Sequence, residues 1–167
     1  MKHVEPFWDD EYKLLKYHKE TFNDEYTIEK WRSQGYQNDI KSFSGEMSSH
    51  GDDLPSWNDI VLEWAEKEFQ LKDVGCCYYR MGTNDIIPNH SDAYNVYTKK
   101  FNCKLESVYK ILVFLEDWKS GHYFELESKP ILEWKSGDYI TWVGKTNHFA
   151  ANIGVDDRYT LQITGHK

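Results

Sequence analysis

The sequence predicts a mainly β domain preceded by helices, and three observations predict it. From residue 73 onward, short apolar or alternating segments recur between turn-forming residues, a texture of strands and hairpins. Before residue 73, apolar residues recur at helical spacing with charges between them. The 167 residues include 7 Trp, 12 Tyr and 8 Phe. That is enough bulky surface for one substantial core in a single domain, and too much for a disordered chain. Many short strands point to a sandwich, jelly roll or barrel. Helices first and strands second point to a helical cover, 1–72, packed outside a β core, 73–167.

The elements follow in order. Asp9 to Phe22 places Tyr12, Leu15, Lys16, Lys19 and Phe22 at helical spacing. Ser42 to Leu54, rich in Ser, Gly and Asp, reads as a loop. Ser56-Trp57-Asn58-Asp59 reads as a helix cap with an acidic first turn. Ile60, Leu62, Trp64, Ala65, Phe69 and Leu71 carry that helix onward. Strands are expected at Gly75–Met81, at Val108–Leu115, at His122–Leu126 and at Ile131–Trp134. Val108–Leu115 is apolar on both faces and should be central. Ser136-Gly137-Asp138 turns into a strand at Tyr139–Val143, and His148–Ile153 and Tyr159–Thr164 close the series.

Charge and cysteine usage narrow the partners. The formal charge is −8 with a pI near 5.3, and no Lys/Arg run stands out. Nucleic acid is therefore disfavoured as a partner, and so is an anionic membrane. No apolar stretch reaches the about 18 residues of a membrane span, and Met1 to Pro6 lacks the apolar core of a signal peptide. Cys76 and Cys77 are adjacent and Cys103 is the third, which does not make a disulfide framework. Buried thiols in a reducing, cytoplasmic compartment are expected. A small-molecule or peptide substrate remains, and the oligomeric state is not legible.

The sharpest chemical feature is His90-Ser91-Asp92 with His148 far downstream. In an extended segment residues i and i+2 point the same way, so His90 and Asp92 can reach one metal ion. An isolated His-x-Asp recurs by chance in surface loops; a third ligand from a distant strand changes its meaning. Two imidazoles and one carboxylate on one face of an octahedron leave open positions, the facial triad of non-haem Fe(II) oxygenases. Ten residues after His148 comes Arg158, with Thr160 two further on. An arginine near the metal can hold a carboxylate by two parallel bonds, and a hydroxyl at +2 can add a third. Such a site would anchor the far carboxylate of 2-oxoglutarate.

In these residues the chain resembles the Fe(II)/2-oxoglutarate-dependent dioxygenases, whose core is a double-stranded β-helix, the cupin-like jelly roll. The resemblance covers roughly Val74 to Gly165. It consists of His-x-Asp, a distal His, then Arg about ten residues later with Ser or Thr at +2, here His90, Asp92, His148, Arg158 and Thr160. Tyr79-Arg80-Met81-Gly82 is similar to the Tyr-x-x-Gly strand entry of prolyl-hydroxylase-like members, which implies a 2-oxoglutarate contact for Tyr79. Leu115-Glu116-Asp117-Trp118 with Gly121 is similar to their Leu-Asn-x-x, Gly-Gly hairpin, but His122 stands in place of the second glycine. Trp134 to Gly165 also resembles short phage-encoded oxygenases, which would place the protein in a host cytoplasm. The resemblance implies Fe(II), 2-oxoglutarate and O2, conversion of 2-oxoglutarate to succinate, and hydroxylation of an amino-acid, peptidyl (prolyl-type) or other small substrate. Members with Gly or Ala at the carboxylate position leave room for halide, so Asp92 favours hydroxylation.

Further candidates surround this set. Lys110, on the central strand, can reach the 2-oxoglutarate carboxylate beside Arg158 if it faces inward. Ala93 to Ser107 follows the metal motif as a loop, and its Tyr94 and Tyr97 are candidate substrate contacts. So are His122 and Asn152. Trp142 and Phe149 are candidate pocket walls, whereas His3, His18, His50 and His166 read as surface residues. Two other readings stand beside the enzyme: a non-catalytic cupin-like protein that binds a ligand or partner, and a cupin-type Fe or Mn enzyme without 2-oxoglutarate.

Overall fold

Four antiparallel strand pairs nest inside one another to make the core. The computed structural model describes residues 1–19, 25–36, 45–48 and 54–167. The outermost pair is β4 (Lys72–Met81) with β11 (Arg158–His166). Inside it lie β5 (Asp85–His90) with β10 (His148–Asn152), then β6 (Val108–Phe114) with β9 (Asp138–Val143), then β7 (His122–Leu126) with β8 (Lys129–Ile131). Cross-pairing of β11 with β6 and of β10 with β7 rolls this ribbon into two facing sheets. The result is a double-stranded β-helix, as expected from the sequence. The N-terminal strands β1 (Lys2–His3), β2 (Tyr17–Lys19) and β3 (Glu46–Ser48) extend the larger sheet to the order β1-β9-β6-β11-β4-β3-β2. The smaller sheet runs β5-β10-β7-β8.

Both faces of the larger sheet are covered, which explains the unbroken apolar run of β6. Ile111, Val113, Leu161 and Ile163 face outward and pack with Val61, Ala65 and Phe69 of α2 (Asn58–Phe69). Leu112, Phe114, Tyr79 and Met81 face inward, toward Phe124, Ile87 and Ala150 of the smaller sheet. Asn58 ties the outer layer down, accepting from the Tyr78 hydroxyl at 2.9 Å and the Cys76 thiol at 3.2 Å. Burial pushes that thiol up to about 12, so it stays protonated. The three cysteines are half-buried and unbridged.

The N-terminal part departs from the expected helical cover. Within the described residues 9–19 of that segment, Asp10–Leu14 alone coils, as a 3₁₀ turn capped by Asp9, and the chain then becomes strand β2. Pairing with β3 and burial of Tyr12 against Tyr159 (ring centroids 5.3 Å) outweigh a weak local helix preference. The expected loop Ser42 to Leu54 contains β3, which pairs with β4 and sets Glu46 against Arg80. Ser56 does not cap α2; its N–H and hydroxyl both donate to the Glu11 carboxylate, at 2.6 and 2.7 Å. The strand expected at Ile131–Trp134 lies earlier, at Lys129–Ile131, because Trp134 leaves the sheet to stack on Phe114 at 4.1 Å. Residues 20–24, and His50, lie outside the described residues.

Gly121 has a backbone requirement: its φ is +93°, and a Cβ there would stand 2.2 Å from the Gly154 nitrogen. Gly121→Ala is therefore expected to destabilise the fold by about 2 kcal/mol or more, lowering the melting temperature by several degrees. A melt unchanged within a degree would contradict this close approach.

Candidate active site

His90 ends β5 and Asp92 follows it out of the strand, while His148 opens β10 directly opposite His90. The register slips between His148 and Ala150, a bulge that re-aims the histidine. One ligand atom from each of His90, Asp92 and His148 lies within 4.8 Å of the others. Each imidazole is oriented from behind: Nδ1 of His90 donates to the Pro88 carbonyl at 2.8 Å, and Nδ1 of His148 to the Thr146 carbonyl at 3.0 Å. A carbonyl only accepts, so both protons sit on Nδ1 and both lone pairs on Nε2. Those Nε2 atoms stand 3.6 and 3.9 Å from the same Asp92 Oδ1.

The electrostatics keep this set in the form a divalent cation takes. Burial opposes the Asp92 charge, but His90, Lys110 and His148 outweigh it and hold the carboxyl well below the usual carboxylate range. Burial first, then His90, push His148 down to about 4. At neutral pH His148 is therefore a neutral imidazole and Asp92 a carboxylate, the forms in which each can ligate a cation. A histidine with a lowered folded pKa stabilises the fold above its unfolded value, about 6.5, and that contribution is lost as pH falls toward 4. Metal-free protein should lose melting temperature between about pH 6.5 and 4, and a divalent cation should move that loss to lower pH. A melting curve flat across this window would contradict the burial of a neutral His148.

Arg158 opens β11 and is buried. Its guanidinium lies 5.7 Å from the ring centres of Phe124 and Trp134, and Nη1 donates to the Met81 sulfur (3.1 Å) and the Tyr123 carbonyl (3.3 Å). Nε is buried with no acceptor. Neither Asp156 nor Asp157 pairs with it, and among the described residues no carboxylate offsets its burial, which pushes the guanidinium down to about 10. It is still charged at neutral pH. A buried cation without an anion is costly unless a ligand supplies one.

One cavity of about 1140 Å³ joins the metal group to Arg158. Thr160 and Tyr79 face it as register partners on β11 and β4, both buried. Tyr94 also lines it, with a buried, unbonded hydroxyl. Trp142 walls it beside His148 (5.3 Å), whereas Phe149 points away and packs on Tyr123. Lys110 faces the cavity, but not beside Arg158. It pairs in register with Thr164, six residues along β11 and about 20 Å of strand away.

Three expected substrate contacts are tied up by the fold. His122 is buried outside the cavity lining and bonds the Asp156 carbonyl through Nε2 at 3.0 Å. Asn152, fully buried, donates to the Met81 and Asp156 carbonyls and accepts from Gly154 N–H. Asn152→Ala should therefore cost about 2–4 kcal/mol of stability, measured by denaturant unfolding; unchanged stability with altered turnover would restore the substrate role. Tyr97 touches the cavity, but its hydroxyl donates to the Asp73 carbonyl (3.0 Å) and meets His166 Nδ1 (3.3 Å). His166 is buried rather than at the surface, and its Nε2 lies 3.7 Å from Asp73 Oδ2. This cluster pins α3 (Asn95–Phe101), which forms within the segment read as a loop.

Several residues of the site escaped the sequence. Trp31, on helix α1 (Glu25–Ser33) of the N-terminal part, packs edge-on against His90 at 5.7 Å and bonds the Asn89 carbonyl. Phe124 and Met81 hold Arg158, and Gln162 and Thr164 line the cavity. Alternation from Arg158 along β11 was a usable signal for the last two.

No family model matches the chain, and no curated protein matches it. Among solved structures it is similar to a predicted oxalate decarboxylase of Thermotoga maritima, 15% identical over 74% of this chain and 81% of that one, TM-score 0.44. A cupin protein of Bacteroides fragilis is 12% identical over 60% and 72%, TM-score 0.41. The cupin domain of Cnp3 from Schizosaccharomyces pombe is 8% identical over 74% and 65%, TM-score 0.44. The double-stranded β-helix rests on the nested strand order itself, and the chemistry on the cavity residues.

Proposed function

We propose that the chain is a non-haem Fe(II)- and 2-oxoglutarate-dependent oxygenase that couples conversion of 2-oxoglutarate to succinate with hydroxylation of an amino-acid, peptidyl or other small substrate. The observation that carries this reading is the buried, anion-free Arg158 opening on the same cavity as a two-histidine, one-carboxylate group. His90 Nε2, Asp92 and His148 Nε2 would hold the iron. When bound, it supplies open positions for the keto acid and O2, and the oxidising power to attack a C–H bond.

The chain's own residues do the rest. Arg158 takes the far carboxylate of 2-oxoglutarate, and its planar fork, held between Phe124 and Trp134, fixes the orientation. Thr160 and Tyr79 offer hydroxyls beside it. Phe124, Leu112, Ile87 and Ala150 supply apolar wall between the metal group and Arg158, and a less polar surround strengthens each charge contact. Succinate release from 2-oxoglutarate, with Fe(II) and an amino-acid and peptide panel, tests the reading. Formation that stops with chelator is expected. Absence of succinate across the panel, together with absence of 2-oxoglutarate binding, would leave a cupin-like binding protein.

A further inference from the structure

The cavity holds more than a metal and a five-carbon diacid need, and its second part has its own chemistry. Lys110 sits in register with Trp142 on one side and Thr164 on the other, at the level of His148 rather than of Arg158. Its one hydrogen bond among the described residues is a long one, 3.5 Å to Thr164 Oγ1, and no carboxylate forms a salt bridge with it. Two neutral donors stand nearby. Trp142 Nε1 is buried without an acceptor. The Tyr94 hydroxyl is buried and makes no hydrogen bond of good geometry, and its polar neighbours are the Asp92 carboxylate and the Trp142 indole. The lining also carries more cations than carboxylates: Lys100, Lys110 and Arg158 against Asp73 and Asp92. His166 already faces Asp73, and the two imidazoles face Asp92, which Lys110 also stabilises at longer range without a salt bridge. On a chain of charge −8 this local excess is directional.

Resting on the oxygenase reading, we propose that this part of the cavity binds the carboxylate of the substrate to be oxidised, with Lys110 as its counter-ion and Trp142 Nε1 and Tyr94 O–H as neutral donors. Buried donors that no protein group satisfies call for a partner, and a ligand carboxylate in this cavity supplies one. One lysine and two neutral donors fit a single carboxylate. 2-Oxoglutarate, stretched between the metal group and Arg158, leaves Lys110 to the second substrate. The substrate class is therefore a small carboxylic acid, either a free amino acid or a peptide's terminal carboxylate, held so that a C–H bond near that carboxylate faces the metal.

Equilibrium titration tests this on the intact protein loaded with Mn(II) and 2-oxoglutarate, which reads binding without turnover. The probes are the twenty L-amino acids and their N-acetyl-prolyl dipeptides, each beside its C-terminal amide; free acids and dipeptides separate the two carboxylate sources. At least one acid should bind, with its amide weakened at least about tenfold. Lys110→Met and Lys110→Gln should each weaken that acid at least about tenfold while 2-oxoglutarate binds within about threefold of wild type. Acid and amide binding alike, or no acid binding, would overturn the proposal. So would a fall in metal or 2-oxoglutarate affinity in both Lys110 variants, which would make Lys110 a positioning residue for Asp92. Binding of 2-oxoglutarate to wild type is read in the same titration, so failure of the oxygenase reading shows separately.

Discussion

Replacing Arg158 with methionine should abolish tight 2-oxoglutarate binding while leaving the protein as stable as before, or more so. The two effects separate because the arginine is buried without a carboxylate partner. In the ligand-free protein its burial is a cost, relieved when an apolar side chain of similar length packs against Phe124, Trp134 and Met81. In the complex the same guanidinium makes the charge-assisted contact, and losing such a buried contact costs about 2–5 kcal/mol. At about 1.4 kcal/mol per tenfold, affinity should fall about 30- to 4,000-fold. Arg158→Lys keeps the charge but not the fork and should fall between. Calorimetric titration and thermal melts on the same samples read both halves. A large loss of melting temperature with unchanged 2-oxoglutarate affinity would make Arg158 a structural residue.

The second large effect is expected at the metal group. With the site intact, a divalent cation at a hundred times its dissociation constant should stabilise the fold by about 2.7 kcal/mol. His148→Ala and Asp92→Ala should each erase that stabilisation. The loss should exceed the about 10- to 100-fold weakening seen when a group that only orients a ligand is removed. His148 is poised for this role because burial and His90 keep it neutral, and Thr146 fixes its tautomer. Thr146 acts through its main-chain carbonyl, so Thr146→Ala should leave metal affinity nearly unchanged. Wild-type metal affinity in His148→Ala would remove that residue from the site.

How much of this was legible in the sequence depends on the range of the forces involved. The strands of the β core were readable because alternation and unbroken apolar runs are local records of burial, as in His122–Leu126 and Val108–Phe114. The metal motif was readable because i and i+2 in an extended segment share a face whatever the tertiary fold. Arg158 and Thr160 followed by the same rule. What failed was set by pairing between distant segments. The β2 strand exists because β3 completes its ladder, and neither carries a strong local signal. Lys110 was rightly placed on the central strand, yet its distance from Arg158 follows from the β6–β11 register, which pairs it with Thr164. His122 and Asn152 were candidate polar residues, but each is held by a main-chain carbonyl more than thirty residues away, His122 by Asp156 and Asn152 by Met81. Trp31 reached His90 through a helix that its own nine residues do not announce.

The central claim is that metal group and arginine form one binding site. Its most direct test is anaerobic titration of 2-oxoglutarate into wild-type protein with Fe(II) and again with chelator. Saturable one-to-one binding that requires the metal, and that weakens in Arg158→Met, is the result expected. Equal affinity with and without metal, or no binding in the metal-loaded protein, would contradict it.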